Sequence, residues 1–256
     1  VGVHYIGDMG SPNTLGRKLF DMITDGQLKW APMDDNYDRF FLGNRVVNLR
    51  AGKEGFRNSL LEAFPGEEQA IDDYMALLNK VASGMQFYTL SKLAPSFVSP
   101  LLGKGIRMAL PDCFNRPTYD VLRDLTDNEE LIGAITGQWG DCGVTPKQSS
   151  FMIHALIAKH YMHGGYYPVG GASEMAKTII PVIQQSGGEV FTYADVTGIL
   201  VEKGRAVGVR MADGEEIRSP KVISGAGIIN TFEELLPRET ADKIGYPKQR
   251  EHVNPS

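Results

Sequence analysis

The chain has 256 residues, of which 42% are hydrophobic and 22% are charged. These values exclude a disordered chain, and the length corresponds to one large domain or two modest ones. Its 26 basic and 31 acidic residues leave a net charge of −5 without a basic block, which argues against a nucleic-acid partner. No apolar run approaches the roughly 20 residues that span a bilayer, although peripheral membrane contact stays open. Cys113 and Cys142 are too few for a disulfide framework and fit a reducing, cytoplasmic compartment.

The first ten residues predict one strand and the turn that ends it. Val1 to Gly7 is an apolar, β-branched run, and the following Asp8 to Gly10 has turn-forming residues. No initiator Met, signal peptide or polar lead-in precedes this strand. We therefore interpret the sequence as a fragment of a longer protein.

Residues 11–163 predict a mainly helical zone with a β-hairpin near its start. Ser11 followed by Pro12 has the pattern of an N-cap and a first helical residue, and Gly26 can end a helix. Apolar residues recur at helical spacing between these two ends. We therefore predict a helix that starts at Pro12 and closes near Gly26.

A hairpin and a long helix follow in the sequence. Two apolar runs, at residues 39–42 and 45–49, flank Gly43-Asn44, and this spacing predicts a tight β-hairpin because Gly adopts positive φ without a Cβ clash. Residues 67–93 then carry apolar side chains at helical spacing, which is more typical of a packed core than of a ligand-binding face. This apolar stripe consists of Ile71, Tyr74, Met75, Leu78, Val81, Ala82 and Met85.

Residues 95–111 contain three prolines among many apolar residues, which predicts an irregular loop. Plain packing on the body of the protein is the favoured interpretation, and the lip of an apolar tunnel or a membrane-touching patch is the alternative. Further on, residues 145–148 combine a capping box with Pro at the first helical position. They predict a helix that stops at Gly164-Gly165.

Gly164 to Glu174 is a Gly-rich segment that leads into a helix ending near Gln185. At Gly170-Gly171 the main chain is free of side chains, and the first amides of the helix are unpaired and carry partial positive charge. The edge of a cofactor or substrate fits there, although paired glycines before a helix are also typical of an ordinary turn.

The segment after Gly188 predicts strands. The last of them, at residues 221–224, is apolar and runs into the small residues Gly225-Ala226-Gly227, which is typical of a parallel strand covered on both faces with a ligand at its carboxyl end. The predicted strands are 189–193, the meander strands 196–202 and 206–210 with a third from Ile217, and 221–224.

The segments from His163 to Gly171 and from Ile229 to Phe232 resemble the carboxyl-terminal half of the phytoene desaturase-like flavoproteins, within them the retinol saturase and carotenoid isomerase branch. The opening Gly2 to Gly7 run resembles the strand by which that family leaves its flavin domain. The resemblance implies a mixed α/β and α+β fold, in which a partial FAD/NAD(P)-binding, Rossmann-like domain carries an inserted, mainly helical substrate domain with a small β-sheet. It also implies a FAD-dependent enzyme that acts on carbon–carbon bonds of a long, apolar polyene or isoprenoid by hydride transfer. Saturase-like reduction is our first choice over desaturation and isomerisation.

The family opens its first βαβ unit with a G-x-G-x-x-G fingerprint, and this sequence has none. The Gly164 to Gly171 segment does not replace it, since no strand precedes it. We therefore expect the chain alone to be inactive and its independent binding of FAD to be in doubt. The implied domains are residues 1–10 as a strand of the FAD-binding domain, 11–163 as the substrate-binding cap, 164–236 as the remainder of the FAD-binding domain, and 237–256 as a tail.

The resemblance also implies which residues meet the cofactor. Val196 matches the position whose backbone meets the adenine in this superfamily. Ala226 and Gly227 match the strand end beside the cofactor, and Gly170 and Gly171 match the doublet that borders the flavin ring.

Four residues are implied near the substrate. By resemblance, His4 and Tyr5 lie close to the passage between flavin and substrate. Tyr166 and Tyr167 either line an apolar channel or merely flank a turn. His4 is the candidate catalytic residue because it can protonate a carbanion-like centre, although a lone His in an apolar strand is more often a structural, hydrogen-bonded residue. Asp141 is either a buried acid or, more typically for its Gly-flanked position, a turn-forming residue.

No metal site is predicted. His154, His160 and His163 lie near one predicted helix end, but no carboxylate or Cys completes a set of ligands at suitable spacing. Cys142 is not favoured as a nucleophile because no basic partner can be placed beside it.

Two other functions stay open. An amine-oxidase-like flavoprotein predicts an aromatic cage at the flavin and a narrow polar pocket, and the sequence reveals no such cage. A non-catalytic lipid-binding protein predicts that even the intact protein binds no flavin. The sequence does not select the exact substrate, the electron acceptor or the oligomeric state.

Overall fold

The computed structural model describes residues 4–93 and 110–246, and it divides into two compact units, Val1–Gly187 and Gly188–Ser256. Within the described ranges the helices are α1 Leu15–Ile23, α2 Lys53–Ala63, α3 Glu68–Leu93, α4 Thr118–Arg123, α5 Glu129–Ile135, α6 Phe151–Tyr161, α7 Ser173–Gln185 and α8 Arg238–Lys243. The strands are β1 Ile6–Gly7, β2 Trp30–Pro32, β3 Asn36–Leu42, β4 Arg45–Arg50, β5 Gly165–Pro168, β6 Val196–Glu202, β7 Arg205–Met211 and β8 Glu216–Arg218. Of the loop predicted at 95–111, all but the last two residues lie outside the described ranges.

The first unit contains two small antiparallel sheets. Strands β1, β5 and β2 form one sheet in the order β1-β5-β2, in which Ile6 pairs with Tyr166. Strands β3 and β4 form the other sheet, where Leu42 pairs with Arg45 around a turn in which Gly43 has a φ of 57°. The predicted hairpin is therefore confirmed.

Helix α3 is the main element of the core of the first unit. It packs against α6 and α2, and its apolar stripe points inward, which confirms the predicted long helix and the packing interpretation. Burial of such a stripe is the main favourable contribution to folding of a helical unit. The fully buried side chains include Val47, Leu60, Phe64, Ile71, Tyr74, Leu78, Val81, Leu131 and Phe151.

Helix α1 starts three residues later than predicted. Thr14, not Ser11, is the N-cap, and its Oγ1 accepts a hydrogen bond from the backbone N–H of Arg17 at 3.4 Å. The Ser11 carbonyl instead accepts from the Thr14 N–H at 3.3 Å and closes a turn that includes Pro12. The turn prevents Pro12 from being the first helical residue. Gly26, at a φ of 66°, follows the helix as expected.

Helix α6 also starts later than predicted, at Phe151. Residues 145–148 form a turn, in which the Thr145 carbonyl accepts from the Gln148 N–H at 2.8 Å. Ser150 then pairs with Pro117 in an isolated β-bridge, which holds its backbone extended at φ −71° and ψ 145°. A tertiary pairing thus delays the helix, and the capping pattern in the sequence belongs to the preceding turn.

The second unit is built on the meander β6-β7-β8, which confirms that prediction. The β6–β7 turn has positive φ at Lys203 and Gly204, 50° and 76°, as a tight hairpin requires. A π-helical turn, Asn230–Leu235, and helix α8 follow, and Phe232 stacks on Tyr246 with ring centroids 4.7 Å apart.

The predicted strands at 189–193 and 221–224 are wrong for this unit. Both segments are irregular, and Phe191, Tyr193 and Ile223 are exposed, the last by 96%. A strand buried on both faces needs neighbouring strands in its sheet, and the described part of the second unit pairs only β6, β7 and β8. The apolar pattern therefore has no strand to pair with here.

Strand β1 is held against helix α6 at unusually short range. The Gly7 N–H donates to Nε2 of His160 at 2.8 Å. A Cβ atom on Gly7 would lie 1.8 Å from the backbone oxygen of His160, so only glycine fits.

None of the helices in the described ranges has the length and apolar character of a membrane-spanning segment.

His154 lies in the core between α3 and α6, and its Nε2 shares a hydrogen bond of 3.0 Å with the Tyr74 hydroxyl. Burial lowers the pKa of His154 to about 4, since the charged ring would lose its hydration. The folded state therefore takes up the proton at lower pH than the unfolded state, where the pKa is about 6.5. The contribution of the neutral His154 ring to stability is fully present above pH 6.5 and is lost as the pH falls toward 4.

We predict that His154→Gln, which keeps a hydrogen-bonding partner for Tyr74, removes part of the acid sensitivity of the fold. The wild type should lose about 2 kcal/mol more of its free energy of unfolding between pH 7.5 and pH 5 than the variant loses. Urea denaturation at both pH values measures this difference. The exposed His163→Gln serves as the control, and an equal pH dependence of His154→Gln and wild type would contradict the prediction.

We predict that Gly7→Ala lowers the free energy of unfolding by more than about 2 kcal/mol, because its Cβ collides with the backbone of α6. Gly133→Ala is the matched control, since a Cβ on this helical glycine meets nothing within 4 Å. The control should gain about 0.5–1 kcal/mol from helix propensity. Denaturation curves with similar midpoints for the two variants would rule out the close contact.

Candidate functional site

The first unit contains a cavity of about 380 Å³ at the end of strand β1, which we call the Tyr5 cavity. Its walls come from the residues before β1, from strand β3, from the segment after α5 and from the end of α6. The lining residues are His4, Tyr5, Asp38, Phe40, Gly137, Gln138, Gly140, Asp141 and Tyr161.

Close backbone contacts place Tyr5 in this cavity. Gly7 fixes the strand against α6, and a Cβ on Gly165 of β5 would lie 2.7 Å from Cδ2 of Tyr5, so the ring occupies space that only a glycine leaves. The ring then meets Tyr161 edge-on with centroids 4.7 Å apart. Aromatic pairs favour this arrangement, which fixes the direction of the Tyr5 hydroxyl.

Two side chains from distant parts of the sequence converge on that hydroxyl. Tyr5 donates to Oδ2 of Asp38 at 2.5 Å. The Gln138 amide donates to the same Oδ2 at 2.7 Å and to the Tyr5 oxygen at 3.1 Å. Burial, followed by the hydrogen bond to Asp38, raises the pKa of Tyr5 far above its usual value. The phenol therefore stays protonated and acts as a hydrogen-bond donor.

A second phenol and a second carboxylate, those of Tyr161 and Asp141, also line the cavity. The Tyr161 hydroxyl lies 3.4 Å from the backbone oxygen of Tyr5. Burial, followed by a hydrogen bond to Asp141, raises the pKa of Tyr161. Asp141 lies in a 3₁₀ turn, Trp139–Cys142, so it forms a turn and also lines the cavity.

The other residues predicted near the substrate do not all line this cavity. His4 is exposed at its rim, whereas Tyr166 and Tyr167 are not among its lining residues. Tyr166 points its hydroxyl at Gly10, where a Cβ would lie 2.1 Å away. Tyr167 is exposed on the other face of β5. The structure thus brings together His4 and Tyr5, and their roles stay predictions.

The glycine doublet lies between β5 and α7 in the first unit. Gly170 and Gly171 have φ values of 91° and 99°, which only glycine adopts readily. A Cβ on Gly171 would meet nothing within 4 Å, and one on Gly170 would meet only the side chain of Glu174. The main chain at Gly171 is therefore open to a ligand.

The remaining predicted cofactor residues belong to the second unit. Val196 is the first residue of β6. Ala226 and Gly227 lie in an exposed segment before the π-helical turn, where the Ala226 oxygen accepts from the Asn230 side chain at 3.0 Å. A Cβ on Gly227 would meet nothing within 4 Å, so this main chain is also open.

Two of the histidines have structural hydrogen-bond partners, and the surroundings of Cys142 do not activate its thiol. His154 bonds Tyr74, and His160 accepts from the Gly7 N–H. Burial lowers the pKa of His160, so its ring is a neutral acceptor there. Burial raises the pKa of the Cys142 thiol, which disfavours a thiolate nucleophile. In residues 4–93 and 110–246 no group of three metal-binding side chains occurs.

Sequence patterns did not single out Asp38, Gln138 and Tyr161. One signal was available, because Asp is depleted in strands and Asp38 directly precedes the predicted hairpin strand at 39–42. Gln138 joins Asp38 from 100 positions away, and no local pattern encodes that contact.

No family model matches the chain. An all-trans-retinol 13,14-reductase from Danio rerio is 37% identical over 97% of this chain and 43% of the relative. A protein of the same organism named an inactive all-trans-retinol 13,14-reductase is 31% identical over 93% of this chain and 41% of the relative. A chloroplastic prolycopene isomerase from Daucus carota is 29% identical over 73% of this chain and 31% of the relative. The chain thus spans less than half the length of the relatives it matches.

A crystal structure of an oxidoreductase from Methanosarcina mazei matches the chain with a TM-score of 0.57 at 16% identity, over 88% of this chain and 47% of that protein. At this identity the likeness concerns the fold, and it confirms the predicted mixed class of helices and small sheets around a partial Rossmann-like domain. The sequence relatives confirm the resemblance drawn from the residues. This chain is a homologue of the all-trans-retinol 13,14-reductases and of prolycopene isomerase, as the resemblance to the retinol saturase and carotenoid isomerase branch implies.

Proposed function

We propose that this chain is part of a FAD-dependent oxidoreductase that acts on carbon–carbon bonds of a long, apolar polyene or isoprenoid, with saturase-like reduction as its reaction. The similarity to the all-trans-retinol 13,14-reductase of Danio rerio over 97% of this chain carries the proposal. Because the chain spans less than half of that relative, the proposal concerns the longer protein in which this chain is one part.

The residues present fit the flat rings of FAD in two places. Gly171 and Gly227 both have positive φ and main chain that no other atom crowds, which lets a planar ring approach the backbone. We assign Gly170 and Gly171 to the flavin ring, and Ala226 and Gly227 to the edge of the cofactor. Val196 is assigned to the adenine.

When bound, FAD supplies hydride transfer to or from a carbon–carbon bond. In a reduction, one carbon takes the hydride and its neighbour takes a proton. We assign delivery of that proton to a ring nitrogen of His4, which is exposed at the rim of the Tyr5 cavity. Tyr5, Tyr166 and Tyr167 are assigned to the walls that hold the apolar substrate and exclude water.

The decisive experiment uses the longer protein. We expect purified protein to show flavin absorbance bands and, after anaerobic reduction, to convert all-trans-retinol into a product heavier by two hydrogen atoms. Gly171→Val should abolish most of the flavin content, because its side chain would stand where the ring rests. Gly204→Val is the matched control, since it also replaces an uncrowded glycine at positive φ, in the β6–β7 turn at the other end of β6 from Val196. Absence of flavin from the well-folded longer protein would favour the lipid-binding alternative.

We predict that His4→Ala lowers the turnover rate of the longer protein by about 100-fold without changing its flavin content, as loss of a proton donor does. His163→Ala, a change at another exposed histidine, should leave the rate unchanged. Product formation under single-turnover conditions measures both variants. Equal rates for wild type and His4→Ala would remove His4 from the mechanism.

A further inference from the structure

The Tyr5 cavity has a polar end that a purely apolar substrate leaves unused. Tyr5 and Gln138 both donate to Oδ2 of Asp38, and no donor among the described residues reaches Oδ1 of the same carboxylate. Asp38 lies beside the cavity, and Oδ1 is its remaining acceptor atom. A ligand that donates a hydrogen bond therefore finds an acceptor there.

The charge of the cavity points to the same chemistry. Asp38 and Asp141 both line it, and none of the ion pairs formed by residues of the described ranges includes either of them. Because neither Asp38 nor Asp141 is in an ion pair, their carboxylates repel an ionised acid, and they cannot donate a hydrogen bond to an aldehyde or an ether oxygen. They favour a ligand group that carries a proton to donate.

The rest of the cavity wall is suited to a hydrocarbon. The rings of Tyr5, Phe40 and Tyr161 face it, and Gly137 and Gly140 add no side chains. Phe40 is packed so closely that a Cβ on Gly137 would lie 2.5 Å from its ring. The cavity thus combines fixed aromatic walls with one polar end, as sites for amphiphilic small molecules do.

We propose that Asp38, held in place by Tyr5 and Gln138, binds the hydroxyl end of an otherwise apolar substrate by accepting its hydrogen bond at Oδ1. The inference rests on the proposed function for the apolar body of the ligand, and it adds a specificity-determining group for alcohols. Tyr5 and Gln138 are positioning residues, because the Tyr5 hydroxyl donates to Oδ2 and the Gln138 amide donates to Oδ2 and to the Tyr5 oxygen.

The test measures binding by the longer protein and changes residues of the first unit of this chain, to which all lining residues belong. Ligand fluorescence gives the dissociation constants of all-trans-retinol and of its methyl ether, which keeps the hydrocarbon and lacks the donor. We expect the alcohol to bind about tenfold more tightly than the ether, as a hydrogen bond to a charged group provides. Asp38→Asn should abolish this preference and leave binding of the ether unchanged.

Asp35→Asn is the matched control, because it removes the same charge from an exposed residue that lies three positions before Asp38. It should retain the tenfold preference. The comparison of the two ligands on the wild type decides the matter even where Asp38→Asn does not fold.

The outcomes separate this inference from the proposed function. Equal, tight binding of alcohol and ether overturns the hydroxyl subsite and leaves the proposed function standing. Binding of neither ligand overturns both. Tighter binding of the corresponding amine than of the alcohol also overturns the hydroxyl subsite, since the two carboxylates would then form an ammonium site of the kind that an amine oxidase needs.

Discussion

The contact on which the first unit depends is the approach of Gly7 to the end of helix α6. With the Gly7 N–H bonded to His160 and no room for a Cβ, strand β1 has one position relative to the helix. That position carries Tyr5 over Gly165 and against Tyr161. The cavity therefore owes its shape to main chain that lacks side chains, and its polar end is a consequence of where β1 is fixed.

The hydrogen bonds of Tyr5 connect the strand to two further elements. Asp38 belongs to the hairpin strand β3 and Gln138 to the segment after α5, so one phenol joins pieces 33 and 133 residues away. Burying a carboxylate costs free energy unless donors replace its hydration. Tyr5 and Gln138 replace that hydration for one oxygen of Asp38. The other oxygen stays available to accept a hydrogen bond, so the arrangement stabilises the fold and also leaves an acceptor for a ligand.

The sequence predicted what local patterns determine and missed what partners at a distance determine. The hairpin at Gly43, the long helix α3 and the β6–β7–β8 meander follow from turn residues and periodicity, and the structure confirms them. The predicted start of α6 was wrong because a β-bridge from Pro117 holds the backbone of Ser150 extended. The strands at 189–193 and 221–224 need a sheet to pair with. Of the site, His4 and Tyr5 were predicted from resemblance, whereas Asp38 and Gln138 meet only in the folded chain.

The polar cluster also bears on how the proposed oxidoreductase would select among apolar ligands. Hydrophobic burial scales with area and discriminates weakly between chains of similar length, because each methylene contributes only about 0.8 kcal/mol. An acceptor that the bound ligand shields from water discriminates more sharply, since a ligand without a donor leaves it both dehydrated and unpaired. Under the inference above, a cavity with aromatic walls and the free Oδ1 of Asp38 would hold many polyenes loosely and orient an alcohol. In the proposed enzyme, that orientation would decide which carbon–carbon bond faces the flavin, so Asp38 would link recognition at one end of the ligand to the site of reaction along it.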